Sequence, residues 1–206
     1  MALESWSLRL TIALLPALAT GLVLAGCDRQ NAASPQGNAA GAAALGTAAP
    51  PAGQRYPTGR LDRSHAGTLA PDVPFEDPQG RPVTMAAFRG RTVLVNLWAT
   101  WCGPCIVEMP ALDALAAREG DDLLVLALSQ DMNGRAKVTD FFAQRNFAEL
   151  EPYLDPRLDF MMSLRVDTLP TTILYDAEGR EVWRMTGLAE WGDERTTNLI
   201  READAG

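Results

Sequence analysis

Histidine and cysteine are the scarce residues of this 206-residue chain: one histidine, His65, and three cysteines, Cys27, Cys102 and Cys105. Structural zinc needs two further ligands at comparable spacing beside any C-x-x-C pair, and the remaining inventory does not supply them. A copper site made of two cysteines and a histidine meets the same shortage, since no histidine follows His65. Basic charge is short as well. Lys and Arg number 18 against 26 Asp and Glu, a formal net charge of −8. No basic patch is dense enough to neutralise a phosphate backbone, which argues against nucleic-acid binding. What is present, 47% hydrophobic and 21% charged residues, fits one globular domain with appendages.

A long uncharged stretch, Leu10 to Ala25, lies near the N-terminus, contains Pro16 and ends in Leu24-Ala25-Gly26-Cys27. It is somewhat shorter than the ~20 apolar residues that span a bilayer. Small residues precede a cysteine, and the whole of residues 1–27 resembles a bacterial lipoprotein signal. Cleavage before Cys27 would leave that thiol carrying lipid; left uncleaved, the segment is a signal anchor. Either alternative puts the rest of the chain outside the cytoplasm and tied to a membrane. Asp28, by likeness to enteric lipoprotein sorting, favours the inner membrane. Residues 28–67 are rich in Ala, Gly, Pro, Ser, Asn and Gln and almost without large apolar side chains. They bury too little to offset chain entropy and read as a flexible tether, with His65 solvated near its end. A folded domain is expected over residues 68–206.

Within that domain Trp101-Cys102-Gly103-Pro104-Cys105 carries the chemistry. Two thiols separated by two residues close a small disulfide and reopen it, moving two electrons. The β-branched run Thr92 to Trp98 reads as a buried strand and Ile106 to Arg118 as a helix, so the pair sits where a strand feeds a helix. Pro104 suits the first turn, which puts Cys102 near unpaired N–H groups and the positive end of the helix dipole, where a thiolate is favoured. Cys102 is then the attacking thiol, and Cys105, one turn on and more buried, the resolving one. A static staple is the alternative, but so short a loop contributes little closure entropy.

The rest of the domain reads as a hairpin around Pro74-Phe75 and Val83-Thr84, a helical piece through Phe88, a strand over Leu123 to Leu128 and a helix from about Arg135 to Arg145. Extra structure is expected between Phe147 and Val166. A strand from Thr172 to Tyr175, a turn at Asp176 to Gly179, a strand from Glu181 to Met185 and a helix from about Asp193 to Ala205 follow. The implied class is α/β, a mixed sheet flanked by helices with an N-terminal hairpin and a central insertion. Leu169-Pro170-Thr171 places a proline just before a strand, which on spacing alone is an ordinary turn.

Taken together, Val95 to Cys105, Glu108-Met109-Pro110 and Leu169-Pro170-Thr171-Thr172 resemble the thioredoxin superfamily and, within it, the membrane-tethered TlpA/ResA group of thiol-disulfide oxidoreductases. The resemblance runs from about Leu69 to Ala203, and Ala189-Glu190-Trp191 looks closest to the TlpA branch. It implies a thioredoxin-like fold, a cis-Pro170 packed against the disulfide, and a backbone around Leu169 that pairs with an extended substrate segment. Trp101, with Gly103 and Pro104, would shape the docking surface, while Trp98 packs in the core. Asn96 stands where thioredoxin carries a proton-handling aspartate, and Asn cannot titrate. Glu108, three residues after Cys105 and so on the same helix face, is the replacement the resemblance implies; complementing the helix dipole is its blander reading. Met109, Met161 and Met162 read as core filler rather than copper ligands.

The Gly103-Pro104 dipeptide is that of the reducing members of the superfamily. The resemblance implies a reductase of oxidised envelope proteins, apocytochrome c or a copper chaperone or oxidase subunit, recharged by a membrane thiol reductant and needing no cofactor or metal. A copper-binding assembly protein and a peroxiredoxin-like peroxidase are the rival readings; Ala99-Thr100-Trp101-Cys102 does not provide the Thr-x-x-Cys setting of the latter.

Overall fold

The run Thr92–Trp98 becomes the central strand because side chains cover both of its faces. The computed structural model describes residues 58–205, so Cys27, the expected signal segment and the expected tether up to residue 57 lie outside the described residues. In chain order the elements are β1 (Arg60–Asp62), β2 (Phe75–Glu76), β3 (Pro82–Val83), β4 (Thr92–Trp98), α1 (Gly103–Glu119), β5 (Leu123–Ser129), α2 (Arg135–Arg145), β6 (Tyr153–Leu154), α3 (Asp159–Ser163), β7 (Thr171–Tyr175), β8 (Glu181–Thr186) and α4 (Glu194–Ile200). Short 3-10 segments follow β3, over Met85–Phe88, and α4, over Arg201–Ala205.

The sheet order is β1-β8-β7-β4-β5-β6-β2-β3. Strand β4 pairs in parallel with β5 and antiparallel with β7. Period-two alternation splits its side chains between two cores. Val93, Val95 and Leu97 join Phe75, Phe160 and Tyr175 on one face. Leu94 and Trp98 join Met109 and Leu112 of α1, Phe142 of α2, and Leu199 and Ile200 of α4 on the other. Trp98 is fully buried, with its ring 5.0 Å from that of Phe141 and 5.8 Å from that of Phe142.

The insertion has an architectural role. Its strand β6 extends the sheet in parallel beside β5, and β2 of the N-terminal hairpin then pairs antiparallel with β6 through Glu76 and Leu154. Arg135 reinforces that junction, donating to Glu76 Oε2 (2.7 Å) and to the Pro152 carbonyl (3.0 Å). Among the described residues, no helix is long and apolar enough to cross a membrane.

Two sequence expectations change. The tether does not run to residue 67, because Arg60–Asp62 form an edge strand on β8, with Leu61 opposite Met185. Backbone pairing holds this piece where composition shows little apolar surface; only Leu61 packs against the core. Gly59 permits the approach: its N–H donates to Leu188 O at 2.6 Å, and a Cβ there would come within 2.8 Å of Met185 Cγ and 2.9 Å of Gly187 O. Met162 is not core filler; it is 59% exposed, whereas Met109 is fully buried.

Starting the chain at residue 68 instead of 58 removes the β1 ladder and the Leu61 contact. The expected cost is about 2–4 kcal/mol in urea denaturation; equal stability of the two chains would show that β1 contributes nothing.

Candidate active site

Strand β4 ends at Trp98, and the chain turns through Ala99 and Thr100 before α1 begins. Cys102 N–H donates to Ala99 O (3.0 Å), closing the turn, and Cys102 is the N-cap of α1. Its Sγ accepts from the N–H of Cys105 (3.3 Å), one of the otherwise unpaired donors of the first turn. Pro104, in that same turn, has no donor to leave unsatisfied. Cys102 and Cys105 form a disulfide, their Cα atoms 5.3 Å apart. Cys102 keeps 5% exposure and Cys105 none. Trp101 stands beside them 68% exposed, with Gly103 also open to solvent and Pro104 half-buried.

The Leu169–Pro170 peptide is cis, immediately ahead of β7. Leu169, half-buried, packs against the cluster that contains Cys102 and Cys105. The Pro170 carbonyl accepts from Gly187 N–H (2.8 Å), which ties this corner to the segment after β8.

Glu108 is the unusual member of the site. The buried face of α1 runs Cys105, Glu108, Met109, Leu112, Leu115 and Ala116, a helical stripe in which a carboxyl occupies a core position. It is 2% exposed. Asn96 Nδ2 donates to its Oε1 (2.8 Å), while the Trp191 indole (3.2 Å) and the Ala189 N–H (3.4 Å) donate to its Oε2. Burial pushes its pKa up to about 7, against the three hydrogen bonds, which favour the charged form. Glu108 lies past the first turn of α1, which holds no acidic residue, and its carboxyl bonds to Asn96, Trp191 and Ala189. Asn96 also donates to Thr172 Oγ1 (2.9 Å) and so couples the carboxyl to the strand that follows cis-Pro170.

Sequence reasoning missed three of these partners, Trp191, Ala189 and Thr172. It also missed Asp131, which closes β5. Asp131 accepts from Thr100 N–H (2.8 Å), Thr100 Oγ1 (2.7 Å) and Ser129 Oγ (2.9 Å). Burial alone would raise its pKa; the Thr100 and Ser129 hydrogen bonds, with Lys137 nearby, outweigh it and hold the value below the usual carboxylate range. The loop before Trp101 is thus fastened to β5. Gly134 lets the following turn close, since a Cβ there would lie 2.6 Å from Asp131 Cβ. The readable signal was polar Ser129-Gln130-Asp131 at the end of an apolar strand. Among the described residues, no group of three or more His, Cys, Asp and Glu side chains could hold a metal.

The Redoxin family model matches residues 65–200. The chain belongs to the Redoxin family. The thiol-disulfide oxidoreductase ResA of Geobacillus thermodenitrificans is 31% identical over 124 residues, 59% of this chain and 69% of that protein. A solved structure from Chlorobium tepidum, assigned as a thiol:disulfide interchange protein DsbE, is 27% identical with a TM-score of 0.57, covering 67% of this chain and 96% of that one. The exposed lipoprotein thioredoxin Etrx1 of Streptococcus pneumoniae, 24% identical with a TM-score of 0.55 over 63% of this chain and 98% of its own, adds support for the fold alone. This Redoxin member is a thiol-disulfide oxidoreductase of the TlpA/ResA type with a thioredoxin-like fold.

The raised Glu108 pKa has a consequence for stability. The folded state binds this proton more tightly than the unfolded state, so the contribution is complete below the ordinary value of 4.5 and is lost as pH rises through about 7. Between those limits the parent should lose about 3 kcal/mol relative to Glu108→Gln, which has no proton to release. Urea denaturation across pH measures the difference in slope, and parallel profiles would contradict it.

Proposed function

We propose that this oxidoreductase is a reductase of protein disulfides on the periplasmic face of the bacterial inner membrane, held there by residues 1–27 through Cys27 or an uncleaved anchor. The observation that carries the chemistry is the pairing of an N-capping Cys102 with a wholly buried Cys105 one turn from a carboxyl poised near neutrality. In the reduced enzyme, the Cys102 thiolate attacks one sulfur of a substrate disulfide and displaces the other as thiolate, forming a mixed disulfide. Glu108, as carboxylate, takes the proton from the Cys105 thiol. Cys105 then attacks Cys102 Sγ, the Cys102–Cys105 bond re-forms, and the second substrate sulfur leaves and is protonated. Two electrons have passed to the substrate. A membrane dithiol donor returns them.

Trp101 supplies exposed apolar surface beside the disulfide, and the backbone at Leu169 pairs with an extended stretch of the substrate, giving affinity with little demand on sequence. Gly103, open to solvent, and Pro104, half-buried, place no long side chain beside Cys102. The substrates in this reading are oxidised apocytochrome c or copper-handling proteins of oxidase assembly, as the resemblance to the TlpA/ResA group carried by Glu108-Met109-Pro110 and Ala189-Glu190-Trp191 implies.

Two measurements test the reading. A Cys105→Ala chain should retain its partner as a mixed disulfide on Cys102, and mass spectrometry would identify it. The reduction potential of the Cys102–Cys105 couple should fall near the about −270 mV of thioredoxin; a value near the about −120 mV of a strong periplasmic oxidant would reverse the direction of transfer.

A further inference from the structure

The segment between β8 and α4, residues 187–193, is held at both ends and along its length. Gly187 N–H donates to Pro170 O (2.8 Å), and Asp193 caps α4 by accepting from Thr196 N–H (2.7 Å). Thr196 Oγ1 reaches back to Glu190 O (2.8 Å). Between these ties, Trp191 is 1% exposed and Ala189 is 6% exposed. A buried indole N–H needs an acceptor, and the one that Trp191 finds is Glu108 Oε2 (3.2 Å). The ring packs in the cluster that holds Cys105, so the donor has little freedom to leave.

We infer that Trp191 is a positioning residue: its indole N–H, backed by the Ala189 N–H, fixes the Glu108 carboxyl in the core beside Cys105 and sets how readily it takes the resolving thiol's proton. The inference rests on the proton-accepting role proposed for Glu108. The same clamp joins that carboxyl to cis-Pro170 through Gly187, so proton exchange and the substrate-facing corner share one rigid support. Among the described residues, no charged side chain bonds to Glu108. On the elements around it, Arg184 of β8 is paired with Glu181, Asp113 of α1 accepts from the backbone of Ala148 to Leu150, and Glu190 is exposed. Cys105 is the titratable partner on its own helix, once reduced.

A hydrogen bond to a carboxylate favours its charged form, so removing the donor raises the pH at which Glu108 gives up its proton. A full-length chain carrying Cys27→Ala, which leaves Cys102 and Cys105 as its thiols once reduced, is mixed with 5,5′-dithiobis(2-nitrobenzoate); Cys102 releases one thionitrobenzoate, and attack by Cys105 on the Cys102 mixed disulfide releases the second. The rate of the second release is followed against pH. The parent should show an inflection near pH 7, Trp191→Phe should move it upward by about one pH unit, and Glu108→Gln should abolish it. Adding Trp191→Phe to Glu108→Gln should change the profile no further. A Trp191→Phe profile that coincides with the parent, while Glu108→Gln loses the inflection, overturns the role of Trp191 and leaves that of Glu108 standing.

If Glu108→Gln keeps the parent profile, the proton role itself fails. The Trp191 clamp is then judged by the 13C carboxyl titration of Glu108 in the oxidised chain, where an unmoved midpoint in Trp191→Phe overturns it and an upward shift supports it. Should Trp191→Phe fold poorly, Trp191→β-(3-benzothienyl)alanine keeps the ring and removes only the N–H, and the same shift is expected.

Discussion

The redox site depends on how β4 and α1 are clamped to one another. Strand β4 has no freedom, being paired on both edges and covered on both faces. Helix α1 lays its stripe of Met109, Leu112 and Leu115 against the same face that carries Leu94 and Trp98. Only a short turn joins them, and Asp131 fastens it through Thr100. Cys102 therefore meets the first donors of the helix by construction, and Cys105 falls on the buried stripe one turn later.

The same clamp explains why a carboxyl can sit in the core. An isolated buried carboxylate is costly, and Glu108 avoids that cost in two ways: near neutrality it holds a proton for part of the time, and when charged it has three donors from two distant parts of the chain. Neither extreme is fully favoured. A group balanced in this way exchanges protons readily at working pH, which is the property the role proposed for Glu108 requires. Asn96 contributes as a donor where an acid would have repelled a second carboxylate, so the departure from thioredoxin and the presence of Glu108 make one arrangement rather than two.

The peripheral elements support the same corner. The insertion carries β6 and brings the N-terminal hairpin onto the sheet, while β1 and Gly59 brace the stretch after β8 that leads to Ala189 and Trp191. Asp193 and Thr196 hold its other end. Leu169 of the cis peptide thus packs on the cluster that holds the disulfide and Trp191, and Trp191 donates to Glu108.

Local pattern determined a good deal of this. Strands β4, β5, β7 and β8 and helices α1 and α2 follow from hydrophobic periodicity, because each buries a face whose spacing is set by its own geometry. Cys102 and Cys105 were legible because chemistry and spacing coincide within one helical turn; Glu108 was singled out by the resemblance to the TlpA/ResA group and by its place on the same helix face. Three-residue β1 was not, since its stability comes from pairing with β8, far away in sequence. Nor were Trp191 and Ala189 as partners of Glu108, Thr172 as a partner of Asn96, or Asp131 as the anchor of Thr100. Those contacts join residues whose neighbours in sequence carry no sign of them, and only the folding of β7, β8 and the segment after it onto α1 brings the donors to the carboxyl. The sequence alone determined which atoms exchange electrons; the tertiary structure decided what surrounds the proton that must move with them.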